Sequence, residues 1–273
     1  VMFAPHAESA LFFPPELGTT ALVLLLLAAF AAGWVDAVVG GGGLLQLPAL
    51  LLVPGLAPVQ VLATNKLGSI FGTATSAITY YRRARPDLRT ALPMAGVALG
   101  GSFAGASIAS ALPVAVFKPV IVVALVVVAA ITLARPALGQ ATALRYSGSA
   151  HYRAAVAVGL AIGVYDGVLG PGTGTFLVMA MVSLIGYDFL QASAKAKIVN
   201  FATNLGALAF FVPTGAVVWG LGILLGLANL AGGYLGARMA ISSGAKFIRV
   251  VFLVVVLALI VKVSHDIYAE NWG

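Results

Sequence analysis

The chain has 273 residues, 61% of them hydrophobic and 8% charged, with a mean hydropathy of +1.07. Soluble domains carry about 25% charged residues, so this composition excludes a large soluble helical domain, which needs more polar surface. The formal charge of +7 comes with no basic run interleaved with aromatics, which argues against nucleic acid, and the absence of cysteine excludes disulfides, thiolate catalysis and Cys-based metal sites.

Residues 1–18 read as an N-terminal tail without a basic segment ahead of its apolar stretch, so it does not read as a cleaved signal peptide. An apolar helix over about 19–38 then runs into a Gly-rich break at 40–43, and a short apolar piece covers 44–53. Ten residues at 1.5 Å rise reach about 15 Å, half of a hydrocarbon core about 30 Å thick. The two pieces therefore predict a re-entrant hairpin that enters and leaves the membrane on one side. Three longer helices follow, over about 58–81, 91–111 and 115–134, and then a linker over 135–152. The same order returns: a helix over 153–168, a break at 170–174, a short piece over 175–186, and helices over 190–212, 215–237 and 246–264, before a tail at 265–273. This predicts an all-α polytopic membrane protein of about eight to ten helical segments. It comprises two repeats (19–134 and 153–264), each a Gly-broken hairpin plus three transmembrane helices.

The repeats share residues as well as outline. Trp34-Val-Asp36-Ala-Val-Val-Gly40 matches Val164-Tyr-Asp166-Gly-Val-Leu-Gly170 at a shift of 130. Gln60, Ala63 and Lys66 match Gln191, Ala194 and Lys197 at a shift of 131, which also carries Gly101 and Gly105 onto Gly232 and Gly236. A hairpin crosses the membrane zero net times and the three helices cross it three times. The second repeat is thus expected to be inverted relative to the first, as in many transporter folds. In that arrangement Arg82, Arg83, Arg85, Arg89, Arg135, Arg145, Arg153, Arg238, Lys246 and Arg249 all fall in loops on one side, ten of the 15 Lys and Arg. The positive-inside rule makes that side cytoplasmic and both termini external.

Irregular backbone at membrane depth is tolerated where it is buried in protein or lines a wet cavity. Gly40, Gly41, Gly42 and Gly43, and Gly170, Gly172, Thr173 and Gly174, are therefore candidates to line a substrate site, the alternative being tight turns for close packing. Each break opens a short helix whose first amides favour an anion. Asp36 and Asp166 stand four residues before Gly40 and Gly170, as caps of the loop amides or as proton carriers. Lys66 and Lys197 lie about two turns into crossing helices, too deep for easy snorkelling. They are read as anion ligands, as partners of Asp36 and Asp166, or as members of structural ion pairs. Asn65, Asn200 and Asn204 add hydrogen-bonding groups, and Lys197, Asn200 and Asn204 share one helix face. Lys195 aligns with Thr64 and is the asymmetric candidate for substrate choice. Gln46, Thr173 and Thr175 join the candidates for the cavity wall.

The three histidines, His6, His151 and His265, are expected in tails or loops, and no Gly-x-Ser-x-Gly, His-Glu-x-x-His or phosphate loop occurs, so no enzyme, metal or cofactor is called for. The chain resembles the TauE/SafE (TSUP) family of bacterial permeases across nearly its whole length. The resemblance is carried by Gly40-Gly-Gly-Gly-Leu-Leu-Gln-Leu-Pro48, Ala63-Thr-Asn-Lys-Leu-Gly68, Asp166-Gly-Val-Leu-Gly-Pro-Gly-Thr-Gly-Thr-Phe176 and Lys197-Ile-Val-Asn-Phe-Ala-Thr-Asn204. It implies a multi-pass inner-membrane transporter for small sulfur-containing anions such as sulfite or an organosulfonate. On the residues alone, a carrier and a passive anion channel both remain open, with a small anion and the lipid bilayer as partners.

Overall fold

The apolar runs become helices, and the Gly, Pro and Asp residues between them end and start those helices. A computed structural model describes residues 12–14, 17–109 and 139–272. Helix α1 covers Thr19–Val39, α2 Gly43–Leu51, α3 Pro58–Ala84 and α4 Leu88–Ala109. Helix α5 covers Gly148–Val168, α6 Thr173–Ala180 with a π-helical turn at Met181–Ile185, α7 Phe189–Phe211 and α8 Trp219–Trp272. The helix expected over 115–134 lies outside the described residues.

The boundaries have local causes. Gly40 ends α1 in the left-handed region (φ +89°), with its amide donating to Asp36 O and Val35 O. Pro58 starts α3 at a position where a missing N–H costs nothing, and Gln60 Oε1 accepts from the Ala57 amide at 3.0 Å. Asp188 caps α7 by accepting from the Gln191 amide at 2.9 Å.

Two predicted boundaries move. Helix α5 begins at Gly148, not at 153, because Ser147 takes the extended cap conformation and the polar His151, Tyr152 and Arg153 follow within the helix. The last loop, expected between helices over 215–237 and 246–264, shrinks to a kink: two helices meet at Gly244 (φ +74°, ψ −172°), and Arg238, Lys246 and Arg249 lie on the helices that flank it. The segment has no proline to stop it.

Side chains are distributed inside out relative to a soluble protein. Leu24, Leu27, Phe30, Leu92, Phe103, Leu227, Leu235 and Val254 are exposed, whereas Asp36, Gln46, Asn65, Lys66, Asp166, Lys195, Lys197 and Asn204 are buried. Water on the outside would reverse that pattern; lipid accounts for it. Among the described residues, helices α1 and α4 are the two long and apolar enough to cross a membrane by composition, with mean hydropathies of 2.4 and 1.4 over their best windows. On α3, α5 and α7 the polar residues Asn65, Lys66, Asp166, Lys197, Asn200 and Asn204 face the interior.

Packing crosses between the halves of the chain. Helix α1 lies against α8, and α5 against α4. Gly232 packs on Phe30 and Trp34, and Gly101 packs on Leu160 and Val164, the same contact displaced by 131 and 130 residues. Small residues let these backbones approach closely. Helices α3 and α7 meet in the middle.

Each hairpin closes on itself at one end. The free ends of α1 and α2 meet where Leu25, Leu50 and Val53 pack with Val61, Val218, Leu221 and Leu225. The free ends of the α5–α6 hairpin meet where the Arg145 amide donates to Ile185 O at 2.9 Å. Helix α3 starts near the first group and ends near the second, where Gln191 Nε2 donates to Ala84 O at 3.2 Å. Its 27 residues put the two ends about 40 Å apart along its axis.

Candidate functional site

The two Gly-rich breaks meet in the middle of the molecule. The Thr175 amide donates to Gly40 O at 3.1 Å, and the Thr175 hydroxyl donates to Val39 O at 3.1 Å. Gly40 and Gly174 touch backbone to backbone: a Cβ on Gly174 would stand 2.5 Å from Gly40 Cα. Only glycine permits that approach, and at Gly40 only glycine readily takes the positive φ.

Around this contact stand two ion pairs. Lys66 Nζ lies 2.6 Å from Asp166 Oδ2, and Lys197 Nζ lies 3.0 Å from Asp36 Oδ2 while also donating to the Asp36 carbonyl. The pairs are crossed, since each lysine meets the carboxylate of the other half. The Ser102 hydroxyl lies 3.3 Å from Asp166 Oδ2 and donates to Thr203 O at 2.7 Å. Asn204 Nδ2 and Thr73 Oγ1, which correspond at the shift of 131, approach each other at 3.5 Å. Four charges that sum to zero are thus held away from water, where removing one leaves its partner uncompensated.

The pairs border a cavity of about 20 Å³, lined by Asp36, Gly40, Gly43, Asn65, Lys66, Ser69, Asp166, Gly170, Thr173, Gly174, Asn200 and Asn204. That volume holds about one water, and an oxyanion with several oxygens needs the walls to move. Gly43 and Gly174 occupy the first turns of α2 and α6, where amides lack intrahelical partners. The Asn65 amide keeps a buried, unpartnered Oδ1 beside the cavity.

Most of the expected site residues come together here, but not all. Lys197 stands one layer back, held by Asp36, and Gly41, Gly42 and Gly172 are not on the cavity wall. Thr175 joins the two breaks, and Gln46 Oε1 accepts from Asn229 Nδ2 at 2.8 Å behind them. Lys195 faces away: its Nζ sits 3.9 Å from the centre of the Tyr187 ring and donates to Gln191 Oε1 at 3.2 Å. The carboxylates do not cap the loop amides; the Gly40 amide goes to the Asp36 backbone, and both side chains go to lysines. Ser69 is an addition. It corresponds to Asn200 at the shift of 131, a correspondence that could have marked it.

The histidines need correction. His151 is not in a loop but in the first turn of α5, 7% exposed, and His265 lies within α8. Tyr187 and Thr90, remote in sequence, bury His151: its Nε2 lies 3.0 Å from Thr90 Oγ1 and 3.1 Å from the Tyr187 hydroxyl. His6 lies outside the described residues. Among the described residues, no group of three His, Asp or Glu side chains is placed to hold a metal.

The profile of the family described as "Sulfite exporter TauE/SafE" matches residues 25–263. A Sinorhizobium protein named probable membrane transporter protein ORF9 is 36% identical over 245 residues, covering 90% of this chain and 93% of its own. A probable membrane transporter protein of Haemophilus influenzae is 30% identical, covering 94% and 98%. Probable membrane transporter protein YfcA of Escherichia coli is also 30% identical, covering 92% of each chain. No solved structure matches. With a family profile spanning most of the chain and relatives named as transporters rather than enzymes, the protein belongs to the TauE/SafE family of membrane transporters.

Proposed function

We propose that this protein is a secondary carrier of a small anion, of the sulfite or organosulfonate type, in the bacterial cytoplasmic membrane. Its two halves act as inverted repeats, each donating one re-entrant hairpin, with the Arg-rich end in the cytoplasm. The observation that carries the reading is the pair of crossed ion pairs, Lys66–Asp166 and Lys197–Asp36, at the meeting point of the two breaks.

An ammonium held by a carboxylate is a cation already occupied by an anion of the protein. A substrate anion reaches Lys66 or Lys197 by displacing Asp166 or Asp36. A displaced carboxylate in a dry interior is costly unless it takes up a proton. Anion entry and proton uptake then proceed together, and release of the anion returns the carboxylate to its lysine as the proton leaves. The first-turn amides at Gly43 and Gly174 and the Asn65 side chain supply uncharged donors around the anion. Because each pair joins the two halves, opening a pair also frees one half to move against the other, the movement that alternating access requires.

The small size of the cavity, room for about one water beside the pairs, favours a carrier over an open channel. The test is flux into proteoliposomes with sulfite, sulfoacetate and sulfate. A carrier saturates, shows counterflow and is driven by an imposed pH gradient. Flux that rises linearly with concentration and ignores the pH gradient contradicts both parts of the reading.

A further inference from the structure

A second polar cavity, of about 540 Å³, opens at the Arg-rich end, with Asp87, Thr90, Arg145, His151, Tyr152 and Tyr187 among its walls. That size lies within the range of small-molecule sites. The corresponding place at the other end is a cavity of about 170 Å³ lined by Leu17, Ala21, Leu24, Leu25, Ala49 and Val53, among others. At the 130-residue shift Ala21 stands for His151 and Leu17 for Ser147. At the 131-residue shift Val218 and Leu221 stand for Asp87 and Thr90. One position in the fold is apolar in one half and polar in the other, so packing of the hairpin does not demand the polar set.

We propose that the polar cavity is a second binding site, for a small organic anion, set at the mouth ahead of the central pairs. Its role as an antechamber rests on the carrier reading above; its binding of an anion does not. Arg145, on an exposed loop, has no carboxylate partner among the described residues. Ser147 takes the cap position of the 21-residue helix α5 without a side-chain hydrogen bond to it, and Ser147 and Gly148 both line the cavity. The start of α5 and Arg145 thus border one space, a combination that favours an anionic head group.

His151 supplies a third, independent feature. Thr90 has one hydroxyl proton, and Asp87 Oδ2 accepts it at 2.7 Å. The Nε2 of His151 lies within hydrogen-bond distance of both Thr90 Oγ1 and the Tyr187 hydroxyl, while Nδ1 is buried with no partner in the protein; with its proton on Nδ1 the ring offers an anion a donor. This orphaned polar atom belongs to a side chain on the cavity wall, and buried polar atoms without partners call for one.

Asp87 is the opposing charge, but both its oxygens are engaged, by the Arg89 amide at 2.9 Å and by Thr90. Burial works against its charged form, yet the Thr90 hydroxyl, the Arg89 and Thr90 amides and the Lys195 charge together hold its carboxyl below the usual range. Burial pushes the Tyr187 phenol up, so it remains a neutral hydroxyl. The Tyr146, Tyr152 and Tyr187 side chains give the cavity aromatic walls, which suit an anion carrying a short organic group better than a bare inorganic one.

The test is calorimetric titration of the full-length protein in detergent with sulfoacetate, with sulfate for comparison. Wild type is expected to bind sulfoacetate at two sites per chain. Arg145→Gln, at an exposed position that the fold tolerates, should weaken one of them about tenfold. It should leave the other unchanged, and Arg82→Gln, a charge control elsewhere on the same end, should weaken neither. The double variant Lys66→Gln with Asp166→Asn should lose the site that Arg145→Gln keeps. A single sulfoacetate site indifferent to Arg145→Gln overturns the proposal and leaves the carrier reading standing. An Arg145-dependent site alone, with nothing lost in the Lys66/Asp166 double, does the reverse. Equal affinity of sulfate and sulfoacetate at the Arg145 site overturns the organic part of the ligand.

Discussion

At one end of the molecule Leu25, Leu50, Val218 and Leu221 close over the α1–α2 hairpin; at the other, Asp87, Thr90, His151 and Tyr187 surround the α5–α6 hairpin. The helices that hold these groups correspond, and so do the glycines that bring them together. Between the ends, the centre has kept its polar groups in both halves: Lys66 and Lys197, Asp36 and Asp166. The comparison separates what the corresponding helices share from what differs between the halves. Crossed packing and the central pairs recur in both halves, whereas an apolar lid and a polar mouth are alternative ways to finish the same hairpin.

The largest effect is expected at the centre. Lys66→Ala or Asp166→Ala leaves a buried charge unpaired and should cost about 3–5 kcal/mol, read as a fall in melting temperature in detergent. The neutral double Lys66→Gln with Asp166→Asn should recover most of that loss. A double as unstable as the singles would mean that the two side chains act separately. Next comes the apolar end, where Leu50 and Leu221 have no exposed surface. Leu221→Ala should cost about 2–5 kcal/mol through the lost contacts and the cavity left behind. The corresponding change at the polar end, Thr90→Val, strands His151 and Asp87 and should cost about 1–3 kcal/mol. If Leu221→Ala proves the milder of the two, the apolar end is not the packed lid described here.

Asp87→Asn is the smallest. The folded protein holds this carboxyl below its ordinary value of 3.8. Its contribution is therefore complete above that value and is lost as pH falls through the lowered one. The melting temperature of Asp87→Asn should lie slightly below wild type at neutral pH, and the gap should close in acid. A gap that widens in acid would reverse the assigned sign.

Much of this architecture is legible in the sequence because glycine and proline punctuate it. Gly40, Gly186 and Gly244 take positive φ where helices stop or kink, and Pro58 marks a helix start. The candidate site was legible in kind, since ionisable residues at membrane depth stand out against an apolar background. Its pairing was not: Lys66 with Asp36 and Lys66 with Asp166 are equally consistent with a repeat, and only the folded chain, where the two breaks meet, shows that the pairs are crossed. His151 was misplaced for a related reason. Beside Tyr152 and Arg153 it looks like linker, and its burial comes from Thr90 and Tyr187, which no local pattern connects to it. Lys195 and Lys197 are two residues apart on one helix and so point to different sides, which sends Lys195 to Tyr187 and Gln191 and Lys197 to Asp36.

The most direct test of the central claim is counterflow of labelled sulfite in proteoliposomes carrying either wild type or the neutral double Lys66→Gln with Asp166→Asn. The double removes one crossed pair without leaving a charge behind, and its melting temperature reports whether it is folded. Saturable counterflow in wild type and its loss in the folded double is the predicted result. Counterflow at the wild-type rate in the folded double would contradict a site built on the crossed pairs.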